Sequence, residues 1–383
     1  MTTIKNFEKN IDQIIYMNTS QPTFAKQDSL KFFRTLNARV NSYFKENNIQ
    51  KTGNWKLHLK TIILFTLFTA PYFIIIATPQ IHFGIFILLS VVIGIGMAGI
   101  GMNVMHDGNH GSYSSKNWIN KFMGGSIYIL AGNVYNWQVQ HNVLHHTYTN
   151  IPGHDEDLDA GRVIRFTKEA KWEPFHAFQH IYSIFLYGLL TANWCLTTDF
   201  KQMKEYLDRN LSYGEARSPK VLWTTLWITK IIYFSVWIII PIVCGITWWK
   251  VFVGFFAMHY VAGLILSIVF QLAHITDDTT NPHPDEAGEM DNTWAIHQLF
   301  TTVNFAPRSW FVNWYTGGLN HQVEHHLFPH ISHVHYGKIA KIVKETALEC
   351  DLPYFEYETM TSAVIAHFKH LKDLGQKPAM IAA

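Results

Sequence analysis

Histidine is the residue type that stands out in this sequence. The 383 residues include 22 histidines, nearly as many as the 28 acidic residues. Many of them fall into three short clusters, HDGNH at 106–110, HNVLHH at 141–146 and HQVEHH at 321–326. Because neutral imidazole is a good ligand for iron, zinc, copper and nickel, these clusters predict a metal site.

The spacing within the clusters indicates how metals would be held. His106 and His110 are four residues apart and would share one face if a helix continues through them. Neighbouring helical residues point about 100° apart, so the adjacent histidines that end the other two clusters suit two metals lying side by side. The repeated pair therefore predicts a dinuclear site. The same spacing predicts four-residue partners on shared faces: His141 with His145, and His321 with His325.

The number and type of candidate ligands narrow the choice of metal. Eight or more clustered histidines exceed the four ligands that close a structural zinc site, so two redox metals fit better. Soluble di-iron bundles use mainly carboxylates, whereas these clusters are built of histidine. The three cysteines lie far apart and predict neither a disulfide framework nor a thiolate site: Cys195, Cys244 and Cys350.

Other polar residues are candidates for supporting roles. His274 directly follows an apolar run and could complete the site, with packing or interface anchoring as the alternative. His259 lies inside that run, where we expect a hydrogen bond between helices. The acidic run at 155–159 could orient an imidazole, although a solvated turn is the favoured interpretation. Interface or supporting roles are expected for His330, His333 and His335.

Long apolar runs must position these clusters. The runs at 61–79 and 83–105 predict one transmembrane hairpin, and those at 226–247 and 251–273 predict a second, because about 20 apolar residues cross a bilayer. Lys230 is expected near the start of its span, where its side chain can extend toward the headgroups. The weaker runs predict helices at the membrane interface: 119–132 and 181–198.

The predicted fold is an all-α integral membrane protein with four transmembrane helices in two hairpins and a helical cap that holds a di-metal site. Four crossings place both termini and the cap on the side that carries most lysines and arginines, which predicts that this side is cytoplasmic. A net charge of +2 without a basic tract excludes nucleic-acid binding. One domain is expected, divided into the segments 1–60, 61–105, 106–220, 226–273 and 274–383.

Together these motifs resemble the membrane fatty-acid desaturase family, whose three histidine boxes have the forms HxxxH, HxxxHH or HxxHH, and HxxHH or QxxHH. The resemblance covers order, spacing and the two hairpins from about residue 32 to residue 336. The stretch GGLNHQVEHHLFPH is similar to front-end desaturases, which insert a double bond between an existing one and the carboxyl end. The sequence contains no HPGG haem motif, and in this respect it is more similar to bacterial acyl-CoA or acyl-lipid desaturases without a fused cytochrome b5 domain.

The resemblance implies O2-dependent insertion of a cis double bond into a fatty-acyl chain at two iron ions. In the third box it leaves His321 and Gln322 as alternatives for completing the coordination. His274 matches an extra ligand after the last span. The remaining iron ligands that it implies are His106, His110, His141, His145, His146, His325 and His326.

The resemblance also implies partners and a location. The substrate would be an acyl-CoA or a membrane lipid, and electrons would come from a separate donor, such as ferredoxin or cytochrome b5 with its reductase. The bacterial inner membrane is expected, with both termini and the active site cytoplasmic. Possible headgroup contacts in the cap are Trp137, Arg162, Arg165 and Lys168, with general attraction to lipid headgroups as the alternative for the basic residues.

Two other functions remain as alternatives. A hydroxylase of the same superfamily would use identical iron boxes, and only the context of Gln322 favours desaturation. A haem electron carrier or metal transporter would place histidines or a polar path within the membrane interior, whereas these clusters lie outside the predicted spans.

Overall fold

The computed structural model describes residues 21–26, 28–214 and 217–378. Within these residues, four helices are long and apolar enough to cross a membrane. We number them span 1 to span 4 in chain order: Trp55–Ala77, Phe83–Asn109, Pro219–Val243 and Trp248–His274.

The rest of the described chain forms a mostly helical cap. Its α-helices are Phe32–Glu46, Asn117–Gly124, Val134–Trp137, His146–Tyr148, Gln179–Tyr187, Leu190–Asn193, Asp199–Asp208, Trp294–Thr301, Trp310–Tyr315, Gln322–Leu327, Tyr336–Glu349 and Met360–Leu374. Its 3₁₀ segments are Gly125–Leu130, Glu156–Leu158, Pro174–Phe178 and His333–His335. The cap also contains two parallel pairs of two-residue strands: Thr23–Phe24 with Glu289–Met290, and Asn304–Phe305 with Glu356–Tyr357.

Four segments with π-helical hydrogen bonding interrupt the regular helices. They are Gly101–Met105 in span 2, Gln138–His145, Trp194–Thr198, and Ser235–Ile239 in span 3. A π-helix bonds residue i to i+5, so it changes which side chains share a face. Two of these segments lie at the first and second histidine clusters.

The predicted pair of hairpins is confirmed, with different boundaries. Span 1 begins at Trp55 rather than at residue 61, because Asn54 caps the helix by accepting a hydrogen bond from the Lys56 nitrogen. Span 3 begins at Pro219 rather than at residue 226, because Ser218 caps it and proline suits the first helical turn. Span 2 continues past the predicted residue 105 to Asn109 and carries the first cluster on its end.

Small residues let the spans pack closely. A Cβ atom on Gly96 of span 2 would lie only 2.7 Å from the Phe68 nitrogen of span 1. A Cβ atom on Gly94 would lie 2.5 Å from the Met258 carbonyl oxygen of span 4. Glycine at these contacts allows the backbones to approach, as is common between membrane helices. Span 2 is therefore held between its two neighbours, which fixes the position of the first cluster.

The two polar residues expected inside the second hairpin behave differently. His259 makes the expected contacts between helices, with Nε2 2.8 Å from the Tyr233 hydroxyl and Nδ1 3.0 Å from the Thr191 hydroxyl. The prediction that Lys230 extends toward the headgroups is wrong. Because span 3 begins earlier, Lys230 lies well inside the helix and is buried, with Nζ 2.6 Å from the Asp199 carboxylate.

The weaker runs do form the predicted short helices. The first contains Asn117–Gly124 and exposes 68% of Trp118 and 72% of Phe122. The second is divided among Gln179–Tyr187, Leu190–Asn193 and Trp194–Thr198. Their position at the membrane interface stays a prediction, which the exposed apolar side chains support.

A separate apolar core holds the third cluster. Phe32 and Leu36 of the helix Phe32–Glu46 pack in one cluster with Ile339 and Val343 of the helix Tyr336–Glu349. Val323, from within the third histidine box, belongs to the same core. The third box is thus fixed by packing within the cap.

Candidate metal centre

The first histidine box is the end of span 2. The helix continues through Asn109, and the His110 nitrogen donates a hydrogen bond to the His106 carbonyl oxygen at 3.0 Å. The two imidazole rings lie 4.5 Å apart by their centroids. The expected shared face of His106 and His110 is confirmed.

The second box lies on a π-helix, which adds an unpredicted partner for His141. The predicted neighbours His141 and His145 do have stacked rings, with centroids 5.4 Å apart. The Nε2 atoms of His141 and His146, five residues apart, lie 3.2 Å from each other. The reason is the i to i+5 bonding of Gln138–His145, which brings fifth neighbours onto one face. The His145 ring also contacts the His274 ring, with centroids 4.7 Å apart.

The third box begins its helix one residue later than its spacing suggested. The helix starts at Gln322, and His321 is the preceding cap residue with φ −105° and ψ 61°. The predicted shared face of His321 and His325 is therefore wrong. Gln322 lies inside the centre, with Nε2 2.9 Å from His274 Nε2 and 3.3 Å from His326 Nε2.

The candidate ligands converge in two neighbouring groups. Among the described residues, the ligand atoms of each group lie within 4.8 Å of one another. The first group is His106, His110, His141 and His325, and the second is His145, His274 and His326. His146 also meets His325 and His326, so it lies between them. His325 belongs to the first group and His326 to the second, and both also form a third group with His146. That the adjacent pair serves two different metals stays a prediction.

A match to a family model decides what kind of protein this is. The model described as fatty acid desaturase matches residues 81–358. The chain belongs to the fatty acid desaturase family.

Individual relatives agree with this assignment. This desaturase is 35% identical over 366 residues to the sn-1 linoleoyl-lipid 6-desaturase of Arthrospira platensis, covering 94% of this chain and 96% of the relative. It is 34% identical over 349 residues to the protein of the same name from Synechocystis sp., covering 90% and 96%. It is also 34% identical over 360 residues to the acyl-lipid (8-3)-desaturase of Physcomitrium patens, covering 92% and 73%.

The family assignment sets the function. The protein is a membrane oxidoreductase that desaturates a fatty-acyl chain, and its family implies a fatty-acyl or lipid substrate and O2. A haem carrier or a metal transporter is thereby excluded. The buried histidine groups could hold a metal ion, which fits the metal binding expected of this family.

Hydrogen bonds at Nδ1 fix the second group of histidines in the desaturase. His326 Nδ1 lies 2.8 Å from the Gln298 side-chain oxygen, and His274 Nδ1 lies 3.2 Å from the Thr301 carbonyl oxygen. Each acceptor holds the ring proton on Nδ1, which leaves Nε2 as a lone-pair donor to a metal.

Asp155 plays the same part for His145. Its carboxylate oxygen lies 3.0 Å from His145 Nδ1 and also accepts a bond from the Asn150 nitrogen at 2.9 Å. Asp155 is only 3% exposed, so the interpretation of this run as a solvated turn is wrong at its first residue. The Asp155 carboxylate is held in this buried position because it accepts hydrogen bonds from the backbone nitrogens of Asn150 and Asp157.

Unpaired nitrogen atoms show that the site suits a metal. Within the described part of the chain, several buried imidazole nitrogens of the two groups and of His146 between them have no hydrogen-bond partner. A buried polar atom without a partner costs about 1–3 kcal/mol, which a bound metal would offset. These atoms are His106 Nδ1 and Nε2, His110 Nε2, His145 Nε2, His146 Nδ1 and His325 Nε2.

The electrostatics favour neutral ligands. Burial, followed by the nearby imidazoles, holds the pKa of His141, His146 and His325 well below the usual histidine range. Imidazole must be neutral to bind a metal, so these rings are ready as ligands at neutral pH. His145 differs, because the charge and hydrogen bond of Asp155 outweigh the effect of burial and raise its pKa.

His321 lies apart from the two groups. Its Nδ1 is 3.6 Å from the Glu324 carboxylate, and its ring is in none of the metal-binding groups found among the described residues. Glu324 itself is held by Asn304 at 2.8 Å and by the Tyr354 hydroxyl at 3.0 Å.

The expected headgroup contacts are partly wrong. Trp137 is buried, and its ring lies 4.4 Å from the His141 ring, so it is a wall of the metal centre. Arg165 is buried as well, and its guanidinium donates to the carbonyl oxygens of Ala170 and Leu374. Arg162 is exposed and pairs with Glu173, and Lys168 is exposed.

A buried polar network beside the first box was not predicted. Asp107 lies 3.0 Å from His333 Nδ1 and accepts a 2.6 Å bond from the Ser332 hydroxyl. Lys60 of span 1 lies 2.9 Å from His333 Nε2. The supporting role expected for His333 agrees with this contact. The signal in the sequence for the rest of this network was the acidic residue inside HDGNH, Asp107.

Proposed function

We propose that this protein is a front-end acyl-lipid desaturase with two irons, supplied with electrons by a separate carrier. The observation that carries this proposal is the pair of neighbouring imidazole groups, whose ligand atoms converge within 4.8 Å in each. The names of the relatives, which are acyl-lipid desaturases, support the substrate class.

The two groups assign ligands to each metal position. We assign the first iron to His106, His110, His141 and His325, and the second to His145, His274 and His326. Gln322 completes the second position, and His146 lies between the two. Imidazole suits iron, and the bound irons would supply O2-dependent oxidation of an unactivated C–H bond.

The reaction removes two hydrogens from adjacent methylenes. A –CH2–CH2– unit, O2, two electrons and two protons give –CH=CH– and two waters, so an electron donor is required. We infer a soluble or membrane carrier, such as ferredoxin or cytochrome b5 with its reductase.

Aromatic side chains provide apolar walls for the acyl chain. Trp137 packs against the first group, with its ring 5.8 Å from the His106 ring. Phe270 of span 4 packs against the second group, 5.1 Å from His145 and 5.0 Å from His274. These rings exclude water from the histidines and offer a methylene chain a surface that makes no hydrogen bonds.

The position of the centre suits a substrate that lies in the bilayer. His106 is in the last turn of span 2, and His274 is the last residue of span 4. The centre therefore lies at the membrane boundary, within reach of a lipid acyl chain. We place this boundary on the cytoplasmic side of a bacterial inner membrane, by the distribution of lysine and arginine.

Lipid analysis tests this function. Cells that express the intact protein should gain a membrane-lipid fatty acid with a new cis double bond between an existing one and the carboxyl group, detected by gas chromatography and mass spectrometry. The His325→Ala/His326→Ala variant should lose this product and bind fewer than about two irons per chain. A hydroxylated product, or a product confined to acyl-CoA, would overturn the proposal.

A matched control separates the site from a general effect of histidine loss. His283 is an exposed histidine of the cap that pairs with Glu169. His283→Ala should keep both the product and the iron content.

A further inference from the structure

The helix Trp310–Tyr315 exposes large aromatic side chains beside the membrane-spanning bundle. Trp310 is 77% exposed and Phe311 is 56% exposed. Their rings lie 6.0 Å apart by their centroids, so they form one patch. Exposed apolar patches of this kind mark interaction sites.

Hydrogen bonds fix this helix against span 2 at a defined depth. The Tyr315 hydroxyl donates to the Ile95 carbonyl oxygen at 2.9 Å, and the Asn103 amide donates to the Tyr315 carbonyl oxygen at 2.8 Å. The Phe311 ring is stacked parallel to the Tyr315 ring at 6.1 Å. The aromatic face therefore lies along the part of span 2 between Ile95 and Asn103.

The depth of this contact along span 2 can be compared with the thickness of the hydrocarbon core. A hydrocarbon core of about 30 Å corresponds to roughly 20 residues at a rise of 1.5 Å. Counted from Phe83, where span 2 begins, the core ends near Met102. Tyr315 thus reaches about 10 Å below this boundary, and its backbone lies at the boundary.

Span 1 contacts this helix at the same level. The Lys60 ammonium lies over the Trp314 ring at 5.7 Å and donates to the Asn103 side chain at 2.8 Å. The helix Trp310–Tyr315 therefore contacts both helices of the first hairpin.

We propose that Trp310–Tyr315 is a membrane anchor of the cap, with Trp310 and Phe311 inserted at the boundary between headgroups and hydrocarbon. Aromatic rings favour this boundary. The segment between Asn304 and the third histidine box thus dips into the bilayer and returns, although the sequence places all of it in the cap. This anchor ties the third box to the membrane surface.

Spin-label accessibility in liposomes of phosphatidylcholine and phosphatidylglycerol tests the anchor. Single cysteines are introduced as Phe311→Cys, as Leu88→Cys on the lipid face of span 2, and as Leu348→Cys in the cap, in full-length protein with Cys195→Ala, Cys244→Ser and Cys350→Ser. Leu348 is the matched control, because it is 57% exposed but lies beside the ion pair of Arg39 and Glu349.

Molecular oxygen concentrates in lipid, and a charged nickel chelate stays in water. We expect the ratio of oxygen to nickel accessibility at position 311 to lie between those of positions 88 and 348, and to exceed that of position 348 several-fold. Equal ratios at positions 311 and 348 would overturn the anchor.

A second measurement needs no introduced cysteine and avoids variants that fail to fold. Trp310→Phe should remove part of the tryptophan fluorescence that brominated lipids quench. If the substitution instead removes part of the fluorescence quenched by aqueous iodide, Trp310 lies in water and the proposal fails. Neither readout depends on desaturation, so the result is independent of the proposed substrate and metal.

Discussion

Three different acceptors hold Nδ1 of the second histidine group. Asp155 serves His145, the Gln298 side chain serves His326, and the Thr301 carbonyl serves His274. Only the first is charged, and a charge-assisted bond is about twice as strong as a neutral one. Asp155 is therefore the contact in this group whose removal should matter most.

We expect Asp155→Ala to lower metal affinity by about 10- to 100-fold, the usual effect of removing the partner of a ligating histidine. The cause is that His145 loses the bond that fixes its tautomer and orientation. Metal titration of the purified apo-protein measures the change. Asp159→Ala is the control, because Asp159 belongs to the same acidic run but is exposed. Equal losses in both variants would contradict the assigned role.

His321 and Gln322 can be distinguished in the same assay. Gln322 contacts His274 and His326, whereas His321 contacts Glu324. We expect Gln322→Leu to weaken the second metal position while His321→Gln keeps the metal content of the intact protein. The reverse pattern, with metal lost only in the His321 variant, would show that His321 is the ligand.

At the scale of elements, hydropathy predicted the spans well and helical periodicity predicted the site less well. Membrane helices need long apolar runs, so their existence follows directly from the sequence. The pairing of His141 with His146 does not, because an i to i+5 segment has no signal in apolar periodicity. His321 was misplaced for a related reason, since a helix that starts at Gln322 leaves the preceding histidine off its face.

Contacts over long sequence distances were also beyond the sequence. Asp199 and Lys230 belong to elements that composition assigns to the cap and to the membrane, and their contact depends on how span 3 packs. The burial of Asp155 could not be predicted either, because an acidic run indicates a solvated loop unless its buried partner, here His145, is known. Such pairs are set by tertiary packing rather than by local pattern.

The Lys230–Asp199 pair offers a test of how span 3 is joined to the helix Asp199–Asp208. Both side chains are at most 4% exposed. Removal of one member of a buried pair usually costs about 3–5 kcal/mol, because it leaves the other charge unpaired. We expect Lys230→Met to lower the unfolding temperature strongly and Lys230→Met/Asp199→Asn to recover part of the loss. Unfolding in detergent measures the cycle, and purely additive effects would rule out coupling.

At the scale of the whole molecule, the histidine centre joins the two hairpins to the cap. Span 2 contributes the first box, span 4 ends at His274, and the other proposed ligands come from the cap. Metal binding therefore requires both hairpins and the cap to be correctly placed. Since a ligand that binds only the folded state stabilises it, iron should raise the stability of the assembled protein as a whole.

Two native cysteines test the orientation of this assembly in the membrane. Cys244 is exposed at the end of span 3, and Cys350 lies in the cap at the end of the helix Tyr336–Glu349. If the cap is cytoplasmic, a charged maleimide should label Cys244 but not Cys350 in intact spheroplasts, and Cys350 should become reactive in inverted vesicles. Buried Cys195 should stay unlabelled in both. Cys244→Ser and Cys350→Ser variants assign each signal. Labelling of Cys350 in intact spheroplasts would place the metal centre on the outer face, where cytoplasmic electron carriers have no access to it.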